Sequence, residues 1–293
     1  MFMEVIKQLI PLLVTLSLAL LIISAAMASS RGQFAYVLCR PLLLLKAIVA
    51  VNIIPLVAAL IVVSIAPGLS LPSKTGILLM AISPVPPLVP GKALKSGARP
   101  EYVYGLQLAM GVVSLIAVPA LGTLVAHHYD AQAVFPLSVI GRNLVIGLII
   151  PMIIGIALGR WIAPDFSRRI APMVGTIGML LVVIAFLPIL VQAWPQLMAL
   201  VGDGTVIAMA VVAIVAMLGG HLLGGEMKSD SYALAFASAT RHPGIAMALI
   251  GANHANAALL AAVLLFLLIA LIVTIPYQIL IKRGSRAGST DIP

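Results

Sequence analysis

Apolar runs of about 20 residues, each long enough to cross a hydrocarbon core roughly 30 Å thick, recur along this chain from one end to the other. Few folds accept such a pattern. A soluble domain carries roughly 25% charged residues, whereas this chain is 9% charged and 62% hydrophobic, and no soluble core could hide that much apolar surface. The expected fold class is therefore an all-α polytopic membrane protein. The lipid bilayer is its solvent, and its backbone must satisfy its own hydrogen bonds wherever lipid surrounds it.

The breakers between the runs place helices near 5–28, 40–66, 74–97 (interrupted), 101–126, 136–161, 168–192, 204–224, 230–253 (interrupted) and 256–281. The first run begins almost at Met1 and reads as a retained helix rather than a removed signal. A net charge of +9 invites a nucleic-acid reading, but the 17 Lys and Arg are scattered through short connections and never gather on a soluble face. Nucleic acid is not an expected partner. The connections after the first, third, fifth and seventh helices carry most of the basic residues, among them Arg31, Lys92, Lys95, Arg99, Arg160, Arg168 and Lys228. Basic loops stay in the cytoplasm, so the N-terminus should face out and the C-terminus in, with a disordered cytoplasmic tail over 283–293. A bacterial inner membrane is the expected location. The single Cys39 excludes a disulfide framework.

Two segments resemble each other at a distance. Pro90-Gly91-Lys92-Ala93-Leu94 runs on to Gly97-Ala98, and Pro243-Gly244-Ile245-Ala246-Met247-Ala248 runs on to Gly251-Ala252. They fall in the third and eighth expected helices, an odd separation that makes them cross the membrane in opposite senses, as in an inverted repeat. The chain then reads as one transporter unit over 1–293: a first repeat over 5–126, a linking helix over 136–161 and a second repeat over 168–281. The first copy is preceded by Ser83-Pro84-Val85-Pro86-Pro87-Leu88-Val89; together with Pro90 this puts four prolines in the seven residues 84–90, which cannot form a regular helix. The second, Thr240-Arg241-His242-Pro243-Gly244, offers a fresh helix N-terminus whose free N–H groups favour anions. Broken helices at corresponding places in two halves point to a carrier's binding site. A plain proline kink is the competing account of the second break.

Arg241 and His242 stand in an otherwise uncharged run from Tyr232 to Ala252, where a buried arginine costs roughly 3 kcal/mol or more. None of the eight carboxylates sits at mid-membrane in this reading, leaving three ways to compensate the charge: carbonyls freed by the breaks, a water-filled cavity, or an anionic solute. The favoured expectation is a cavity holding a small organic anion. Lys92 either points into that cavity or snorkels to the surface. His242 is either a proton carrier or a neutral hydrogen-bonding group. Asn52, Gln107 and Ser114 are polar at depths that can line a site or bond between helices. The histidines lack the spacing of a metal site, no phosphate loop is present, and no paired carboxylates or nucleophile and base lie within the spans. No cofactor and no enzymatic activity are expected, and oligomeric state is not legible.

The order of these features resembles the bile acid:sodium symporter superfamily, from about Leu12 to Tyr277: an Asn-x-x-Pro helix at Asn52, the Pro-Gly break, the Pro119 helix, Pro151-Met152-Ile153-Ile154-Gly155, and the break at Thr240-Arg241-His242-Pro243-Gly244. The resemblance implies a panel domain against a core domain, two helices that unwind and cross at mid-membrane, and here a nine-span member. It also implies that a Gln-Asn pair and a glutamate of sodium-coupled members fall on Arg241-His242 and Ala237, and a Ser-Asn pair on roughly Leu88-Val89. Gln107 stands where the family has a hydroxyl ligand. These departures remove oxygen ligands and negative charge, so sodium sites lost or replaced are the expectation. Three readings stay open: an organic-anion carrier working by alternating access, a symporter coupled to protons or sodium through His242 or backbone carbonyls, and a non-transporting sensor on the same scaffold.

Overall fold

The computed structural model describes residues 2–225 and 227–287, and the side chains of 12–225 and 227–281. In chain order its helices are α1 Phe2–Ala28, α2 Pro41–Ile65, α3 Leu71–Ile82, α4 Val89–Lys95, α5 Pro100–His128, α6 Leu137–Ile162, α7 Pro164–Ala199, α8 Thr205–Leu222, α9 Lys228–Ala239, α10 Pro243–Ala252 and α11 Ala257–Ala287. No strand occurs among the described residues. Six helices, α2, α5, α6, α7, α8 and α11, are long and apolar enough to cross a membrane, and Leu12–Ala28 and α3 are shorter apolar helices. The chain is a polytopic helical membrane protein.

Each expected helix forms, and the two expected to be interrupted are the pairs α3–α4 and α9–α10. Two boundaries move. α7 continues through Pro172, Pro188 and Pro195 to Ala199 rather than stopping near residue 192, because a membrane helix tolerates proline where neighbours re-satisfy the freed carbonyls. The last helix runs on through Ala287, so residues 283–287 of the tail expected to be disordered are helical; residues 288–293 lie outside the described residues.

Proline also sets the local form of α2 and α6. Each contains a π-helical turn, Val49–Ile53 and Val145–Ile149, just before Pro55 and Pro151. The residue preceding each proline, Ile54 or Ile150, donates its N–H five residues back, to the carbonyl of Val49 or Val145. A proline cannot supply the regular bond four residues back, and the wider turn absorbs the mismatch.

The helices pack in two groups. α1 lies most extensively against α7 and α6, forming a three-helix panel; α3, α8, α9 and α11 form the centre of the other group, flanked by α2, α5 and α10. The panel is closed by glycine. A Cβ at Gly159 would stand 2.6 Å from the Met27 carbonyl oxygen, and one at Gly155 would stand 2.6 Å from that of Ile23. Small residues let membrane helices approach to backbone contact where no hydrophobic effect drives them together. The outward face of α7 carries exposed Ile177, Ile184 and Val191, as a lipid-facing surface requires.

At the opposite end from the basic loops, Asp203 ties the α7–α8 connection to the start of α3. Its carboxylate accepts from the Ser70 and Thr205 N–H groups at 3.1 and 3.2 Å and from the Thr205 hydroxyl. Desolvation pushes its pKa up, but the hydrogen bonds from Thr205 and Ser70 outweigh it and hold the group below its ordinary 3.8. A depressed folded pKa means that this stabilisation is complete above the ordinary value and disappears as pH falls through the folded one. Thermal unfolding in detergent should show the parent losing stability below pH 4 relative to Asp203→Asn, whose acid limb should be flatter. Gly159→Val should destabilise the panel by about 1–3 kcal/mol, read as an earlier unfolding midpoint, with no comparable effect at Gly147, where added bulk meets nothing within 4 Å.

Candidate functional site

The two helix breaks meet. α3 ends at Ser83, whose hydroxyl donates to the Leu79 carbonyl at 2.8 Å, and α9 ends at Thr240, whose hydroxyl donates to the Phe236 carbonyl at 2.6 Å. Both half-helices thus close by the same device, a hydroxyl bonding four residues back. Beyond those ends the backbones touch: the His242 N–H donates to the Pro84 carbonyl at 2.9 Å.

Arg241 lies at this junction, 1% exposed. Its guanidinium donates to the carbonyls of Val51 at 2.6 Å, Ser83 at 3.3 Å and Ser238 at 2.7 Å. The irregular backbone accounts for why these carbonyls are free. Pro55 stands four residues beyond Val51 and has no N–H to give it, and Ser83 is already extended at the end of α3, so no helical N–H lies opposite its carbonyl. Four residues beyond Ser238 is His242, whose N–H is already given to Pro84. Three segments distant in sequence each present an orphan acceptor, and one planar cation takes all three.

Two cavities flank the junction. The larger, about 910 Å³, lies between the panel and the second group, with Leu21, Leu180, Val183 and Phe186 on one wall and Pro90, Gly91, Leu264 and Leu267 on the other. Lys92, Lys95 and Arg168 line it, and among the described residues no Asp or Glu does. The Lys92 ammonium donates to the Thr274 hydroxyl at 3.3 Å, so the residue faces the cavity rather than snorkelling away. The smaller cavity, about 20 Å³, is lined by Gln107, Ser114 and Asn143 among apolar neighbours, and the buried Gln107 Oε1 has no partner. Pro87 and His242 line both cavities. The crossover is the wall between them.

His242 caps α10: its Nδ1 accepts from the Ile245 N–H at 3.3 Å. Only an unprotonated nitrogen can accept, so this bond assigns the neutral ring with its proton on Nε2. Protonating Nδ1 would remove a cap worth about 1 kcal/mol.

The expected site residues therefore divide. His242, Pro90, Gly91, Lys92, Pro243, Gln107 and Ser114 line a cavity. Arg241, Thr240, Gly244 and Asn52 line neither. Asn52 is buried inside α2 and donates to the Ile48 carbonyl at 3.3 Å. The favoured placement of Arg241 in an anion-filled cavity is corrected: the broken backbone supplies its partners, and carbonyl oxygens replace the solute as the compensating charge.

Sequence reasoning missed one further constellation. Arg99, in the connection after α4, makes a two-pronged ion pair with Asp230 in the first turn of α9, through Nε to Oδ1 at 2.8 Å and through Nη2 to Oδ2, and Nη2 also reaches the Tyr36 hydroxyl at 3.2 Å. Asp230 is completely buried. The Gly224–Gly225 turn packs on it so closely that a Cβ at Gly225 would stand 2.3 Å from Oδ2. The pair clips the end of the first broken helix to the start of the second. The glycine pair beside an acidic residue was its only sequence signal.

A profile of the sodium bile acid symporter family matches residues 15–200. The chain belongs to that family. Members of it are membrane transporters, and the match spans α1 through α7 together with the first break. A comparison with curated protein sequences returns no match. The second break, where Arg241 stands, lies beyond the matched residues, and its geometry is read from this chain alone.

Breaking a buried ion pair by removing one partner costs about 3–5 kcal/mol. Arg99→Met should therefore lower the unfolding midpoint steeply, and Arg99→Met combined with Asp230→Leu should recover much of the loss, an interaction readable by a double-mutant cycle in detergent.

Proposed function

We propose that this chain carries a small amphipathic organic anion across the membrane by alternating access, with the crossover of the two broken helices as the moving barrier. The observation that carries this reading is the larger cavity: about 910 Å³ of mostly apolar space whose charged lining residues are Lys92, Lys95 and Arg168. That size is within the range of small-molecule sites, and a cavity with fixed positive charge and no lining carboxylate favours an anion. Lys92, beside the first break, is the counter-charge in this reading. His242 and Pro87, which line both cavities, are the residues the solute passes.

In this proposal the helices form nine spans in two inverted repeats, over about 5–126 and 168–281, with α6 as the link. The basic connections face the cytoplasm of a bacterial inner membrane, placing the N-terminus outside and the C-terminus inside. The larger cavity, with Lys95 and Arg168 among its lining, then opens inward, and the smaller one is the closed outer half of the path. Sodium is not required, because a tethered cation already stands at the crossover. Proton coupling through His242 is the weaker alternative, since protonation at Nδ1 competes with the helix cap.

Uptake of labelled organic anions into proteoliposomes, with and without a sodium gradient, tests the reading. Saturable uptake indifferent to sodium and weakened about 10–100-fold by Lys92→Gln, the loss of one charge-assisted contact, is expected. Sodium-stimulated uptake that survives the substitution would sink it. Solute binding without flux would point to a sensor on the same scaffold.

A further inference from the structure

We infer that the carbonyls of Val51, Ser83 and Ser238 form a monovalent-cation site and that Arg241 is its permanently attached occupant, which joins the two broken helices to α2.

Three observations meet at this point. The first is convergence: the three acceptors come from α2, from the end of α3 and from the last turn of α9, and lie 2.6, 3.3 and 2.7 Å from the guanidinium nitrogens. The second is polarity. The described partners of the guanidinium are carbonyl oxygens, and the carboxylate on α9, Asp230, lies in that helix's first turn and pairs with Arg99. Unpaired carbonyl dipoles gathered in a dry place attract positive charge. The third is the origin of those carbonyls, freed by Pro55, by the extended end of α3 at Ser83 and by the diversion of the His242 N–H to Pro84. Regular helices would have left no cage to fill.

Tethering has a consequence for motion. A dissociable cation would let the crossover assemble and loosen with ion concentration, whereas a side-chain cation is present at any ionic composition. Arg241 is thus a positioning residue: it touches neither cavity, yet it holds Ser83 and the backbone before His242 in register with α2. The inference concerns how the crossover is held and does not depend on the identity or movement of the solute.

The test uses the purified full chain in detergent and reads thermal unfolding, so its failure is separate from failure of the uptake experiment. The parent should be indifferent to sodium, potassium or methylguanidinium at about 10 mM. Arg241→Met keeps side-chain bulk and removes charge; it should unfold about 5–10 °C earlier. Methylguanidinium or sodium should then return at least half of the loss, a response a purely packing role would not create. Arg241→Lys should retain more stability than Arg241→Met and show a smaller cation response. Parent-like stability of Arg241→Met would overturn the inference, as would equal loss in both variants with no response to added cation. Failure of both to yield folded protein even when methylguanidinium is present during solubilisation would overturn it as well.

Discussion

A single guanidinium holding three backbone carbonyls is the constraint on which the centre of this protein depends. In lipid, a helix break leaves acceptors that water cannot reach, and each unsatisfied group costs several kcal/mol. The chain breaks two helices side by side and bends a third with Pro55 and a π-helical turn. These irregularities would each be a defect alone. They are tolerated because their free carbonyls point to one place, where Arg241 stands. An arginine buried among apolar helices would be equally costly alone. Each liability compensates the other.

Around that junction the geometry of a carrier follows. The crossover separates a large apolar cavity with basic lining from a small polar one, and only Pro87 and His242 belong to both. The panel of α1, α6 and α7 is joined by backbone-close glycine contacts, while the broken helices are joined by hydrogen bonds and by the Arg99–Asp230 pair. Close glycine contacts occur in both groups, since a Cβ at Gly220 of α8 would stand 2.6 Å from the Leu234 carbonyl oxygen; the hydrogen-bonded junction of broken helices is what the second group adds. Between the two groups lies the larger of the two cavities.

Much of the fold was legible before any coordinates. Hydropathy located each helix because a span must be continuously apolar, and the proline cluster at 84–90 located the first break because proline lacks the N–H a helix needs. The reading erred where proline does not break a helix, as at Pro195, which α7 passes. The site was only partly legible. His242, Lys92, Gln107 and Ser114 were found as polar residues at the wrong depth, and they line cavities. Arg241 was found by the same rule and given the wrong partner, because carbonyl oxygens leave no trace in residue identity. Counting four residues back from Pro55 would have named Val51. Asp230, in the first turn of α9, is buried against Arg99, a pairing that residue identity alone does not show.

What the sequence determined by itself was the solvent, the number of helical segments, the two places where helices break and the sign of the uncompensated charge. All of these are properties of short windows: apolar length, missing N–H groups and fixed side-chain charge. What only the tertiary structure decided was which groups meet. Val51, Ser83 and Ser238 converge on Arg241 across separations of up to 190 residues, and Lys92 turns to Thr274 on a helix 182 residues away. Those pairings depend on how helices lie against one another, and backbone acceptors, identical at every position, acquire identity only when packing places them.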